Sequence, residues 1–140
     1  MPAARRAAPA ALLFVALAAL CGCNSGPKIV PVSGTLTRNG KPVPYLTVNF
    51  EPATGRPSWG VADENGRFTL EYDITNKGAV TGTHTVWVIW RPSSPQEEFN
   101  PAKAKKPAEL DAIQTKYGSG KSPIKVDITA ATDSLEIKLD

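Results

Sequence analysis

The sequence predicts an all-β domain, a sandwich of seven short strands with one short helix in a long connection between strands. Three observations carry this reading. Apolar residues alternate with polar ones at period two through most of the chain after residue 29, the pattern of strands buried on one face and paired antiparallel. Gly, Pro, Asn and Asp gather between these runs, as turns require. After an apolar leader over residues 1–22, 118 of the 140 residues remain, room for one domain but not comfortably for two.

In the first strand Val32, Gly34 and Leu36 alternate with Ser33, Thr35 and Thr37, and Asn39-Gly40-Lys41-Pro42 turns the chain back. Leu46, Val48 and Phe50 then alternate with Thr47, Asn49 and Glu51, and Pro52 ends that strand because it has no amide hydrogen for the ladder. A short strand around Trp59 to Asp63 leads into Asp63-Glu64-Asn65-Gly66, whose Asn-Gly supplies the positive φ of a tight hairpin. Phe68, Leu70 and Tyr72 are expected to face inward on the next strand. From Thr83 to Arg91 both faces carry large apolar groups, His84, Val86, Val88 and Trp90 on one and Trp87 and Ile89 on the other, so this strand is covered on both sides. The cover is expected from the connection between Pro92 and Lys121. Within it, Pro107 to Tyr117 reads as a helix, with Pro107 in the first turn, Glu109 and Asp111 at its positive end, Lys116 at its negative end and Gly118 ending it. Leu110, Ile113 and Tyr117 share a face and are predicted to pack outside the strand, on Trp87 and Ile89. Residues 92–106 have no periodicity and are expected to be mobile. Ile124, Val126 and Ile128, then Leu135, Ile137 and Leu139, mark the last two strands.

The leader gives an address. Arg5 and Arg6 precede an uncharged run from Ala10 to Leu20, shorter than the roughly 20 residues that span a hydrocarbon core, as in a secretory signal peptide. Its end, Leu20-Cys21-Gly22-Cys23, resembles the bacterial lipoprotein signal, with Leu20 at −3, Gly22 at −1 and Cys23 as the cysteine that receives the lipid. Cys21 fits poorly, because Leu20 would stand where a small residue belongs. The expected organisation is a signal peptide over 1–22, a tether over 23–28 and the sandwich over 29–140, held to a membrane through Cys23 and facing the periplasm or the cell exterior.

Little in the mature chain suggests chemistry. Both cysteines lie at the leader, so the domain folds without a disulfide. Loss of Arg5 and Arg6 lowers the side-chain charge of +3 to about +1, which argues against nucleic acid as a partner. The one basic cluster, Lys103, Lys105 and Lys106, lacks interleaved aromatics and reads as a solvated loop. His84 is the only histidine, with no ligand spacing for zinc and no Gly-x-Ser-x-Gly elbow for a triad, so it reads as structural. Asp63 and Glu64 read as turn chemistry rather than calcium ligands. Gly118-Ser119-Gly120-Lys121-Ser122 has the wrong spacing for a phosphate loop and leads into a strand. No catalytic residue, metal site or cofactor is expected.

Val32-Ser-Gly-Thr-Leu-Thr, Asn39-Gly-Lys-Pro-Val-Pro, Asp63-Glu-Asn-Gly-Arg-Phe, Gly78-Ala through Gly82, and Lys116-Tyr117 near Ser122-Pro123 resemble the carboxypeptidase regulatory-like family, in the lipoprotein form abundant in planctomycete bacteria. The resemblance runs from about Val32 to Leu139. It implies a transthyretin-like, seven-stranded Greek-key sandwich and a structural accessory module rather than a catalyst. It also implies an aromatic where His84 stands, which makes His84 a partly buried replacement bonded to a nearby carbonyl or hydroxyl. The transthyretin-like hydroxyisourate hydrolase would bring histidines, an arginine and a C-terminal Tyr-Arg-Gly-Ser motif, and the chain ends Glu136-Ile-Lys-Leu-Asp instead. Two readings follow: a binding module for an envelope protein, peptide or glycan, with Trp59 and Trp87 as contact residues if exposed, or a structural component of the cell envelope. Burial of the two tryptophans in a satellite cluster under the helix would favour the second.

Overall fold

The computed structural model describes residues 26–92, 94–100 and 106–140, so the expected leader and Cys23 lie outside the described residues. Its strands are β1 (Ile29–Val30), β2 (Val32–Arg38), β3 (Lys41–Pro42), β4 (Leu46–Pro52), β5 (Ser58–Val61), β6 (Arg67–Thr69), β7 (Ala79–Val80), β8 (Gly82–Trp90), β9 (Ile124–Ile128) and β10 (Thr132–Lys138). Two helices, α1 (Pro95–Phe99) and α2 (Ala108–Tyr117), lie between β8 and β9. One four-stranded sheet runs β10-β2-β3, with β6 also on β2; the other runs β5-β4-β8-β9; β1 and β7 form a small pair of their own. The fold is therefore mainly β, two facing sheets with the apolar core between them.

The alternation read from the sequence selects that core. Val32, Leu36, Phe68 and Ile137 from the first sheet, with Leu139 just after it, meet Leu46, Val48, Phe50, Val86, Val88 and Ile128 from the second, all buried. Phe50 and Phe68 stack at a tilt with ring centroids 6.1 Å apart, one ring from each sheet. Asn39 and Gly40, with φ of 50° and 77°, give the two-residue turn between β2 and β3. At Asp63–Gly66 only Gly66 needs positive φ (72°), and the Asp63 carboxylate fixes the turn by accepting from the amides of Asn65 and Arg67.

Four expectations are corrected. The sheets are not wholly antiparallel: β10 lies parallel to β2, because Thr129-Ala130-Ala131 lacks hairpin residues and carries the chain across to the other sheet instead of folding it back on β9. Tyr72 does not face the core; β6 ends at Thr69, and the half-buried Tyr72 ring lies 5.9 Å from the Arg56 guanidinium. The connection holds two helices rather than the one expected, since Ser94 caps α1 by accepting from the Glu97 amide, with Pro95 opening the helix.

The fourth correction concerns α2. It forms where expected, but Leu110, Ile113 and Tyr117 join the cluster between the sheets, which includes neither Trp87 nor Ile89. The reason lies in β8, whose pairing with β9 stops at Val86 while its pairing with β4 continues to Trp90. Beyond Val86 the helix takes the place of the missing strand: the Gln114 side chain accepts from the Trp90 amide, and its apolar face closes the core. Tyr117 and Lys116 donate to the Asp140 carbonyl, tying the helix to the segment after β10. Gly118 ends α2 in an extended conformation, and a Cβ there would lie 2.5 Å from the Gln114 carbonyl oxygen, so space rather than positive φ requires glycine.

Candidate functional site

The outer faces of the two sheets differ in chemistry. On the first, Ser33 bonds Thr69 and Thr37 donates to Glu136, while Thr35 pairs with Arg67, a polar surface that largely satisfies itself. On the second, the strand register sets apolar residues side by side. Asn49 of β4 lies between Trp59 of β5 and Trp87 of β8, and in the next row Thr47 lies between Val61 and Ile89. The opposite end of this face is polar, with Lys125 donating to Thr85 and the Trp87 indole donating to Glu51 at 3.2 Å.

Trp59 points outward because its two neighbours in the strand turn to the core, where at least one of them must be small. Ser58 and Gly60 face the core, and a Cβ on Gly60 would stand 2.5 Å from the Thr69 carbonyl oxygen of β6. The two sheets approach so closely at this corner that β5 can present large side chains only to solvent. Trp59 and Val61 are accordingly 45% and 54% exposed. Trp87 is half-buried. The strand register thus brings the two contact candidates onto one face, and the structure puts neither in a cluster under the helix.

A depression of about 350 Å³ opens beside Trp59, lined by Thr47, Asn49, Trp59, Val61 and Arg91. Its polar groups are unusual for a sheet surface. The Asn49 Nδ2 is buried with no hydrogen-bond partner in the protein, a state that costs about 1–3 kcal/mol unless a ligand or water supplies one. Among the described residues Arg91 makes no ion pair. Just before β4, Tyr45 is 57% exposed at φ 63°, its amide donating to Ala62. A bulky residue held in that conformation is strained. A second depression, about 530 Å³, shares Trp59 and Val61 with the first and carries Asp63, Glu71 and Asp133 with Arg67.

The remaining candidates lie elsewhere. His84 is fully buried on the core side of β8, 2.8 Å from the Val80 carbonyl through Nε2 and 5.9 Å from the Phe50 ring, with Nδ1 unpartnered. Asp63 spends its carboxylate on the turn. Lys106 pairs with Asp111 at 2.9 Å, whereas Lys103 and Lys105 lie outside the described residues. Among the described residues no group of three or more His, Cys, Asp or Glu is placed to hold a metal, and no helix is long and apolar enough to cross a membrane.

Thr47, Asn49, Val61, Arg91 and Tyr45 were not singled out from the sequence. A signal was nonetheless present: in Trp59-Gly60-Val61-Ala62 the large residues and the small ones alternate, which reverses the usual rule that the large ones face the core. No family model, no curated protein and no solved structure matches this chain.

Proposed function

We propose that this protein is a membrane-anchored extracytoplasmic lipoprotein whose sandwich, of the transthyretin-like, carboxypeptidase regulatory-like kind, serves as a non-catalytic binding module. Its contact surface is the outer face of the β5-β4-β8-β9 sheet, and its partner is an envelope protein or glycan. One observation carries the reading: Trp59 and Val61 stand exposed beside an Asn49 amide that lacks a partner, on a face whose counterpart on the other sheet is polar. Exposed tryptophan, with tyrosine and arginine nearby, is the composition that dominates contact energy at interfaces. The lipoprotein signal ending at Cys23 supports the anchor, and the seven strands of three or more residues among those described support the family resemblance. His84 fits a structural role because its ring is enclosed and bonded to a main-chain carbonyl.

Crosslinking and pull-down from the native envelope test this. Wild-type protein is expected to recover envelope protein or glycan, and the Trp59→Ala variant to lose it. Recovery that is unchanged by Trp59→Ala, or no recovery by either protein, would favour a purely structural envelope component.

A further inference from the structure

We propose that the depression beside Trp59 binds an acidic saccharide, a chain containing uronic acid residues, by stacking one sugar ring on the Trp59 indole with its carboxylate toward Arg91. The inference rests on the binding-module reading and names the ligand of the same face. Its lining offers three kinds of group at once: the indole of Trp59, the side chains of Thr47 and Asn49, and the guanidinium of Arg91. A sugar ring matches that set, since its C–H face is apolar, its edge carries hydroxyls and, in a uronic acid, one carbon bears a carboxylate. A ligand hydroxyl can pair with the Asn49 amide once that group rotates about its last torsion, which is soft in asparagine.

Size and surroundings favour a saccharide over a protein. The volume, about 350 Å³, falls in the range of small-ligand sites. A protein footprint of about 800 Å² per partner would spread over Glu51, Thr85 and Lys125, whose side chains already bond within the face and would gain little. Charge sets the side of the ring that is used. Among the described residues no acidic side chain lines the depression with Arg91, whereas the larger one that shares Trp59 and Val61 carries Asp63, Glu71 and Asp133 against the single cation Arg67, a net negative lining that disfavours a carboxylate.

Tryptophan fluorescence titration and calorimetry on the purified full-length chain, with tri-galacturonate, neutral maltotriose and a glutamate-rich peptide as probes, test the assignment. Tri-galacturonate is expected to bind saturably and to weaken as salt is raised. Arg91→Gln should weaken it by roughly tenfold to a hundredfold, the loss of one charge-assisted contact. Trp59→Ala should abolish it, and Trp59→Phe, which keeps an aromatic face, should restore part of it. Absence of saturable tri-galacturonate binding, equal binding of maltotriose, stronger binding of the peptide, or indifference to Trp59→Ala would each overturn the assignment. If saccharide binding is absent while the envelope pull-down still depends on Trp59, the face binds a different partner; if both are absent, the binding-module reading fails with it.

Discussion

Gly60 and Asp73 show how single residues set local structure here. With 2.5 Å between the place of a Gly60 Cβ and the Thr69 carbonyl oxygen, the added methyl of Gly60→Ala must push β5 away from β6. The expected cost is about 1–3 kcal/mol, the range for overpacking a tight contact. Chemical denaturation measures it, and an unchanged midpoint would show that the corner is not tight. Asp73 works through charge. One of its carboxylate oxygens accepts from the amides of Thr75 and Asn76 and from both of their side chains. Hydrogen bonds, that from the Asn76 side chain first, lower its pKa from 3.8 to about 2. A depressed carboxylate favours the folded turn while ionised, so this contribution is complete above the unfolded value and is lost as pH falls through the folded one. The Thr75 and Asn76 amide resonances should therefore titrate with a midpoint of about 2. A midpoint at the unperturbed 3.8 would show that the turn does not hold the ionised form.

At the scale of elements, α2 is the informative case because its existence was legible and its position was not. Pro107, the acidic first turn and the spacing of Leu110, Ile113 and Tyr117 specify a helix with one apolar face. They do not say which sheet surface receives that face. Trp87 and Ile89 looked like the receiving surface because both faces of β8 are apolar, but the β8–β9 pairing stops at Val86 and leaves a gap beside β8. The helix fills the gap, so its apolar face enters the core. Ile113, nearly fully buried there, should cost about 2–4 kcal/mol when replaced by Ala. Trp87→Ala, on the half-buried outer face, should cost less, and urea denaturation of the two variants compares them. A larger loss from Trp87→Ala would return the helix to the outer face. The same limit explains the rest of the sequence reading. Alternation fixes which residues of a strand share a face, and it placed Val32, Phe50, Val86 and Ile137 correctly in the core. It carries no information about partner strands, so the parallel pairing of β10 with β2 was not legible. The candidate site was legible only as two tryptophans, because the strand register that brings Asn49 between them is long-range.

At the scale of the whole molecule, the sandwich closes by joining segments near the two ends of the described chain. Residues 32–37 of β2 pair with 132–138 of β10, and the Leu139 amide donates to Thr37. Such a sheet cannot be completed until the last strand is available, and long-range pairing of this kind folds slowly. That order would suit the proposed export of the chain before it folds, and both cysteines, Cys21 and Cys23, precede the first strand. Attachment through Cys23 would leave residues 24–28 as a tether of at most about 3.5 Å per residue, holding the domain close to the bilayer. Such a tether would lead into β1, which pairs with β7 and belongs to neither large sheet, so an anchor at Cys23 would not occupy an edge of the sheet that carries Trp59. Each lipid methylene buried contributes roughly 0.8 kcal/mol, so a multiply acylated Cys23 would hold the protein almost irreversibly where a single chain would not. The expected mature protein therefore begins at an acylated Cys23, seen by mass spectrometry as a lipid-sized increment on the N-terminal peptide. Cys23→Ser should release the domain from membranes, and Cys21→Ser should leave it bound. An unmodified N-terminus at Cys23, or cleavage after Ala19, would remove the anchor and with it the expectation that the Trp59 face meets its partner at the membrane.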